Sequence, residues 1–257
     1  MSDHRDTLAL ILRTVEYGER DLIATVFGRD TGKFSAIAKN ARGSKKRFGG
    51  GLQPLRLLRV DVTAKPNRDL DRLNEIEVVQ DYSDIQTDFD KITVGSYATE
   101  FLDAVTIDRD PEPQVFDLAT DFLGRLAGAE PTTMVLDVLL RHFLLEALNR
   151  TGSGPALDRC FRCGTPIDQL DKVYGMRSGE GLVCADCRRT GDPVGVLYPE
   201  TIDVLDYYRR PGDDAPESLE EPQFVEQARR IVDAAVRRVI DHPLKSRAML
   251  DSVFTGE

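Results

Sequence analysis

Thr7-Leu8-Ala9-Leu10-Ile11-Leu12-Arg13-Thr14, then Tyr17-Gly18-Glu19-Arg20-Asp21, then Leu22-Ile23-Ala24-Thr25-Val26-Phe27 form the stretch whose reading decides the fold. The outer two runs are short, apolar and rich in β-branched residues, which suits strands, and the polar pentapeptide between them suits a hairpin connection. Working outward, Asp30-Thr31-Gly32-Lys33 predicts a second turn, and Phe34-Ser35-Ala36-Ile37-Ala38 alternates as a third strand does. Beyond a polar, glycine-rich segment at 40–51, Leu55 to Ala64 and Leu73 to Val79 supply two more apolar runs. Five short strands and one long basic loop predict an N-terminal five-stranded barrel of the OB type over residues 1–80. Periodicity does not reveal closure, so the same strands also allow an open meander.

From Phe89 the period becomes helical. Phe89, Ile92, Val94, Tyr97, Phe101, Leu102 and Val105 recur at three- and four-residue intervals, as do Val115, Leu118, Ala119, Phe122, Leu123 and Leu126. Leu136 to Leu148 carries a wide apolar face that Gly152 and Gly154 bring to an end, and Ile202–Tyr208 and Phe224–Ile240 predict two further helices. The expected class is α+β, with a C-terminal helical domain over residues 81–257. At 257 residues the chain has enough length for a real core, and no apolar run approaches the ~20 residues that span a bilayer. The segment Met1 to Thr7 has no secretory pattern, so the expected compartment is the cytoplasm.

Cys160-Phe161-Arg162-Cys163 and Cys184-Ala185-Asp186-Cys187 are two C-x-x-C pairs separated by 20 residues. Each pair can set two thiolates on one side of a tight turn, and two facing turns complete the tetrahedral site that Zn²⁺ prefers. A redox dithiol needs only one pair beside a βαβ pattern, and unrelated buried thiols have no reason to come in matched pairs. The expectation is one structural Zn²⁺ ligated by Cys160, Cys163, Cys184 and Cys187, in a zinc ribbon at about 157–190 inserted among the helices. Four sulfur ligands leave no open position for water or substrate, which argues against a zinc hydrolase.

The net charge of −10 argues against a generic nucleic-acid binder, yet it hides an asymmetry. Residues 1–80 hold 15 basic and 11 acidic side chains, or +4, against 19 and 33, or −14, in residues 81–257. Thr31 to Val60 carries Lys33, Lys39, Arg42, Lys45, Lys46, Arg47, Arg56 and Arg59 with no acid at all. Such a run attracts polyanions, although most charge runs are solvated faces. Within it, residues 39–51 combine five cations with four glycines, a composition that suits single strands. Phe48 has two roles open to it: stacking on a base, or anchoring the loop to the barrel.

Catalytic equipment is missing from the sequence. It has no G-x-x-x-x-G-K-[ST], no G-x-G-x-x-G after a strand, no G-x-S-x-G and no H-E-x-x-H. Of three histidines, His142 lies in an apolar helix and reads as a packed or boundary residue. No enzymatic activity is expected.

The sequence resembles the bacterial RecO family of recombination mediator and DNA-repair proteins. Carrying the resemblance are Ile11-Leu12-Arg13-Thr14-Val15-Glu16-Tyr17-Gly18-Glu19-Arg20-Asp21, Gly32-Lys33, Ala38-Lys39-Asn40-Ala41-Arg42 and Arg47-Phe48-Gly49-Gly50-Gly51-Leu52-Gln53-Pro54-Leu55, in order and spacing. The four cysteines match the zinc-bearing branch of the family. The resemblance implies an OB-fold, a helical domain with a zinc ribbon, and binding of single- and double-stranded DNA with annealing of complementary strands. It also implies contact with the C-terminal tail of single-stranded DNA-binding protein (SSB), and work with RecR to load RecA. DNA contacts are expected at Lys33, Lys39, Arg42, Lys45, Lys46, Arg47 and Arg56. Two other classes stay compatible with the residues: an RNA-binding OB protein with a ribbon, and a zinc-stabilised interaction scaffold.

Overall fold

The computed structural model of the chain describes residues 3–44, 46–49, 51–64, 70–191, 193–240 and 242–255. Five strands, β1 (Asp3–Tyr17), β2 (Asp21–Gly28), β3 (Gly32–Ala38), β4 (Leu57–Ala64) and β5 (Leu70–Gln80), form a closed barrel in the order β1-β2-β3-β5-β4. Four of the five neighbouring pairs are antiparallel, β3 pairs with β5 in parallel, and β1 closes the ring on β4. Closure, which strand periodicity left open, is made possible by the length of β1. Its residues 3–10 pair with β4, while residues 9–17 pair with β2. Alternation of side chains then turns Phe34, Ala36 and Ala38 of β3 inward, where they meet Ile11, Val26, Leu58, Val60 and Leu73.

After the barrel come α1 (Phe89–Val105), α2 (Pro113–Gly128) and α3 (Thr133–Arg150). Asp88 caps α1 by accepting from the Lys91 N–H, and Thr132 caps α3 by accepting from the Val135 N–H. A four-stranded sheet follows, ordered β6-β8-β7-β9, from β6 (Ala156–Cys160), β7 (Val173–Met176), β8 (Gly181–Cys184) and β9 (Pro193–Val196). The chain closes with α4 (Pro199–Arg209), α5 (Pro222–Val239) and α6 (Arg247–Thr255), making six α-helices among the described residues. None of those helices is long and apolar enough to cross a membrane.

Contacts gather the chain into two compact units, residues 1–131 with 244–257, and residues 132–243. In the first, Gly95 lets α1 approach Leu55 so closely that a Cβ there would lie 2.9 Å from the Leu55 side chain. The half-buried Glu100 of α1 ties down the returning C-terminal segment, accepting from the N–H groups of Lys245 and Ser246 and from the Ser246 hydroxyl at 2.6–2.9 Å. The loop after α1 meets the barrel through Arg109, whose N–H donates to the Lys33 carbonyl and whose guanidinium grips the buried Asp71 carboxylate.

In the second unit, α3, α4 and α5 share a buried ionic core. Asp137 of α3 accepts from Arg141 Nε at 3.1 Å, from Arg229 Nε of α5 at 3.0 Å and from the Tyr208 hydroxyl of α4. Arg141, only 2% exposed, also donates to Asp233 of α5. The two carboxylates hold the Arg141 proton more tightly than usual despite burial, and burial together with Asp137 pushes the Tyr208 hydroxyl upward. His142 sits half-buried with Nδ1 3.0 Å from the Tyr208 carbonyl, a boundary residue as its helix position implied.

Candidate nucleic-acid surface and metal centre

Register in the barrel assembles a charged end. Tyr17 pairs with Asp21 where β1 turns into β2, and Leu22 pairs with Ala38, so the residue after β3, Lys39, falls beside Asp21. The Asp21 carboxylate receives the Lys39 ammonium at 2.6 Å and the Asn40 N–H at 2.7 Å. The Asn40 N–H first, then Lys39, hold the Asp21 carboxyl below its ordinary value. Arg42 folds back on the same hairpin, its backbone N–H donating to the Arg20 carbonyl and its guanidinium reaching Glu16 at 3.3 Å and the Glu19 carbonyl at 3.4 Å.

The loop is anchored by its aromatic residue. Phe48 is 2% exposed within the barrel core, beside Leu52 and Ala41. Of its two open roles the anchoring one is realised, since a ring already surrounded by barrel side chains has no face left for a base. Arg47 covers that ring, its guanidinium carbon 5.0 Å from the centroid, donates to the Lys39 carbonyl at 2.7 Å, and through its own carbonyl accepts from the Ile76 N–H. Lys46 is exposed and has no side-chain partner among the described residues. Lys45 lies outside the described residues.

The run from 31 to 60 is free of acid in sequence but not in space. Lys33, 13% exposed, donates to the Asp103 carbonyl and lies 3.5 and 3.6 Å from the Asp103 and Asp108 carboxylates. Arg56 is 15% exposed against Asp81, and Arg59 meets Asp6 at 3.2 Å. Lys39, Arg42, Lys46 and Arg47 therefore make up the accessible cationic end, with Arg20 of the hairpin exposed beside them. Sequence reasoning took residues 17–21 only as a turn; no local signal shows that their acids and their aromatic ring face the basic loop.

The four thiols converge as their spacing predicts. One sulfur from each of Cys160, Cys163, Cys184 and Cys187 lies within 4.8 Å of every other, and Cys163 and Cys184 are 3.9 Å apart. A tetrahedron with metal–sulfur bonds of about 2.3 Å has edges of about 3.8 Å, so this group can hold a metal ion. Cys160 ends β6 and Cys184 ends β8, and Gly164, at φ +75°, turns the first knuckle so that its N–H bonds the Cys160 carbonyl. A second-knuckle constraint comes from Arg162, which donates to the Cys187 carbonyl at 2.6 Å.

The thiols do not titrate alike. Thr165, through hydroxyl and backbone, lowers the exposed Cys163 to about 6, whereas the neighbouring sulfurs of Cys184 and Cys163 push Cys187 up to about 12. Burial raises Cys160, but N–H groups of Cys163, Cys184 and Arg162 outweigh it and leave it lowered. Four thiolates this close repel one another, and a divalent cation at their centre removes the conflict.

A cavity of about 370 Å³ in the second unit is lined by Leu145, Leu157 and Phe161, by Arg159 and Arg209, and by Asp158, which pairs with both arginines, and Glu180. Other cations of the helices lie elsewhere: Arg141 and Arg229 belong to the buried network, Arg150 pairs with Glu146, and Arg230 with Glu226.

An OB-like barrel with a cationic end, followed by helices carrying a four-thiol centre, defines an α+β protein whose chemistry resides in cations and sulfurs. Residues 1–82 match the family described as "Recombination protein O N terminal", and residues 86–248 match "Recombination protein O C terminal". The chain is 36% identical over 178 residues to "DNA repair protein RecO" of Anaeromyxobacter dehalogenans (strain 2CP-C), covering 69% of this chain and 68% of that protein. It is 31% identical over 247 residues to the protein of the same name from Geobacter metallireducens, covering 96% and 97%. The chain belongs to the RecO family of DNA repair proteins.

Proposed function

We propose that this protein is a recombination mediator. It binds single- and double-stranded DNA, anneals complementary strands and, with RecR, helps load RecA onto SSB-coated single strands. The observation that carries this reading is the gathering of Lys39, Arg42, Lys46 and Arg47 at one accessible end of the barrel. Lys45, Lys33 and Arg56 complete the proposed set, although Lys33, at the far end of β3 from Lys39, and Arg56 are held by Asp103, Asp108 and Asp81 away from that end. The carboxylate partners of Lys39 and Arg42 do not oppose the reading, because exposed ion pairs are worth only about 0–1 kcal/mol and yield readily to a polyanion.

Such a surface also accounts for annealing. Cations that neutralise phosphates lower the repulsion between two strands, and base pairing then supplies the specificity. No bond is made or broken by the protein, and the reading assigns it no catalytic residue. One Zn²⁺ held by Cys160, Cys163, Cys184 and Cys187 has a structural role, fixing two turns whose small core holds little apolar material.

The cavity beside Phe161 is the place we assign to the acidic, apolar-ended tail of SSB. Its apolar residues receive the terminal side chain, and Arg159 and Arg209, paired with Asp158 in the free protein, exchange that partner for the tail's carboxylates. The deciding measurement is annealing of complementary oligonucleotides coated with SSB. Acceleration by the protein is expected, and competitor RNA should displace DNA poorly. No acceleration on coated or naked strands overturns the reading, and stronger competition by RNA than by DNA would favour an RNA-binding role.

A further inference from the structure

We propose that Tyr17 is the base-stacking surface of this site and the residue that makes it prefer unpaired strands. The inference rests on the reading of residues 39–47 as the phosphate-binding surface. Residues 1–80 contain four aromatic side chains, Tyr17, Phe27, Phe34 and Phe48. Three are consumed by the core, with Phe27, Phe34 and Phe48 at 0%, 5% and 2% exposure, whereas Tyr17 is 52% exposed. An OB-type barrel that handles single strands needs a flat ring beside its cations, because every base offers a π-face and stacking needs no sequence match. Phe48 cannot serve, and Tyr17 stands where the ring is required.

Its placement follows from the register. Tyr17 ends β1, directly opposite Asp21, and the Lys39 ammonium held by Asp21 lies 5.9 Å from the Tyr17 ring centroid. Arg42 is bonded to Glu16, the residue next to it in the chain. Gly18, next in the chain at φ +64°, has nothing beyond its chain neighbours within 4 Å of where a Cβ would stand, so the turn itself is open. Val15, 48% exposed, precedes Tyr17 by two residues on the same strand face and extends the apolar surface. A base lying on Tyr17 thus has phosphate partners on the adjoining loop, and a duplex, whose bases are already stacked and paired, cannot use the ring.

The test compares the full-length protein with Tyr17→Ala and Tyr17→Phe on an unstructured oligothymidylate and on a duplex of equal length. Tyr17→Ala is expected to lower the ratio of single- to double-strand affinity about tenfold, with the slope of log affinity against log salt unchanged because no phosphate contact is lost. Tyr17→Phe, which keeps the ring, should restore most of that ratio. Irradiation of an oligonucleotide containing 5-iodouracil should yield an adduct on the peptide containing Tyr17. An unchanged ratio in Tyr17→Ala, a loss in Tyr17→Phe as large as in Tyr17→Ala, or adducts confined to other peptides would each overturn the proposal. Failure of the underlying reading looks different: replacing Arg42, Lys45, Lys46 and Arg47 by Ala would then leave single-strand affinity intact.

Discussion

Lys39 reaches back to Asp21, eighteen residues earlier, and sets its ammonium 2.6 Å from that carboxylate. The pair leaves Lys39 already partnered, so a strand must exchange carboxylate for phosphate to bind there. Asp21→Asn removes the competing charge while keeping an oxygen for the Asn40 N–H. Single-strand affinity is expected to rise several-fold at low salt in a fluorescence-anisotropy titration. A fall in affinity would mean that the pair shapes the site instead of restraining it.

The salt dependence of binding should count the phosphates engaged by the loop. If about five side chains neutralise phosphates, the slope of log affinity against log salt on single strands is near −3.5, or roughly a hundredfold between 50 and 200 mM salt. Changing Arg42, Lys45, Lys46 and Arg47 together to Ala should flatten the slope by several units and suppress annealing. Lost affinity at an unchanged slope would point to a disturbed barrel.

Metal analysis should find one zinc per chain, and each of Cys160→Ser, Cys163→Ser, Cys184→Ser and Cys187→Ser should weaken its retention. Because Cys160 and Cys184 are buried and Cys163 is exposed, Cys160→Ser and Cys184→Ser should also destabilise the β6–β9 sheet more than Cys163→Ser does. Native protein that is folded, metal-free and alkylated at all four thiols would sink the assignment.

Arg141 joins the two buried carboxylates of the second unit. Arg141→Ala leaves Asp137 and Asp233 buried with one of their cations gone, a change that typically costs about 3–5 kcal/mol. Urea denaturation should register that loss, and an effect below about 1 kcal/mol would show that water reaches the cluster.

Acid should release the C-terminal segment through Glu100. Burial raises its carboxyl, but the Ser246 hydroxyl, the N–H groups of Ser246 and Lys245 and the Lys245 charge outweigh burial and hold it below its ordinary 4.5. With the folded value the lower one, this stabilisation is complete above about pH 4.5 and is lost as pH falls through the folded value. Hydrogen-exchange protection of residues 244–255, taken relative to the intrinsic rate at each pH, should therefore fall on acidification, and Glu100→Gln should lower it at neutral pH. Exchange that ignores both changes would show that packing alone docks α6.

Much of this protein is written in local pattern. Alternation at Phe34, Ala36 and Ala38 specifies a strand with one buried face, three- and four-residue spacing specifies α1 to α5, and the paired C-x-x-C turns specify a tetrahedral donor set, since each rule operates within a few residues. The helix α6, the strand β9 and the docking of residues 244–255 on Glu100 escaped that reading, because short segments gain their order from what they pack against. Tertiary structure alone closed the barrel, turned Phe48 inward and Tyr17 outward, and buried Asp137 and Arg141, which as an i,i+4 pair read like a surface bridge. It also brought Asp21, Glu16, Asp81 and Asp103 to a stretch that contains no acid of its own. Coulomb interaction and burial depend on distance through space, and only the fold sets that distance for residues far apart along the chain.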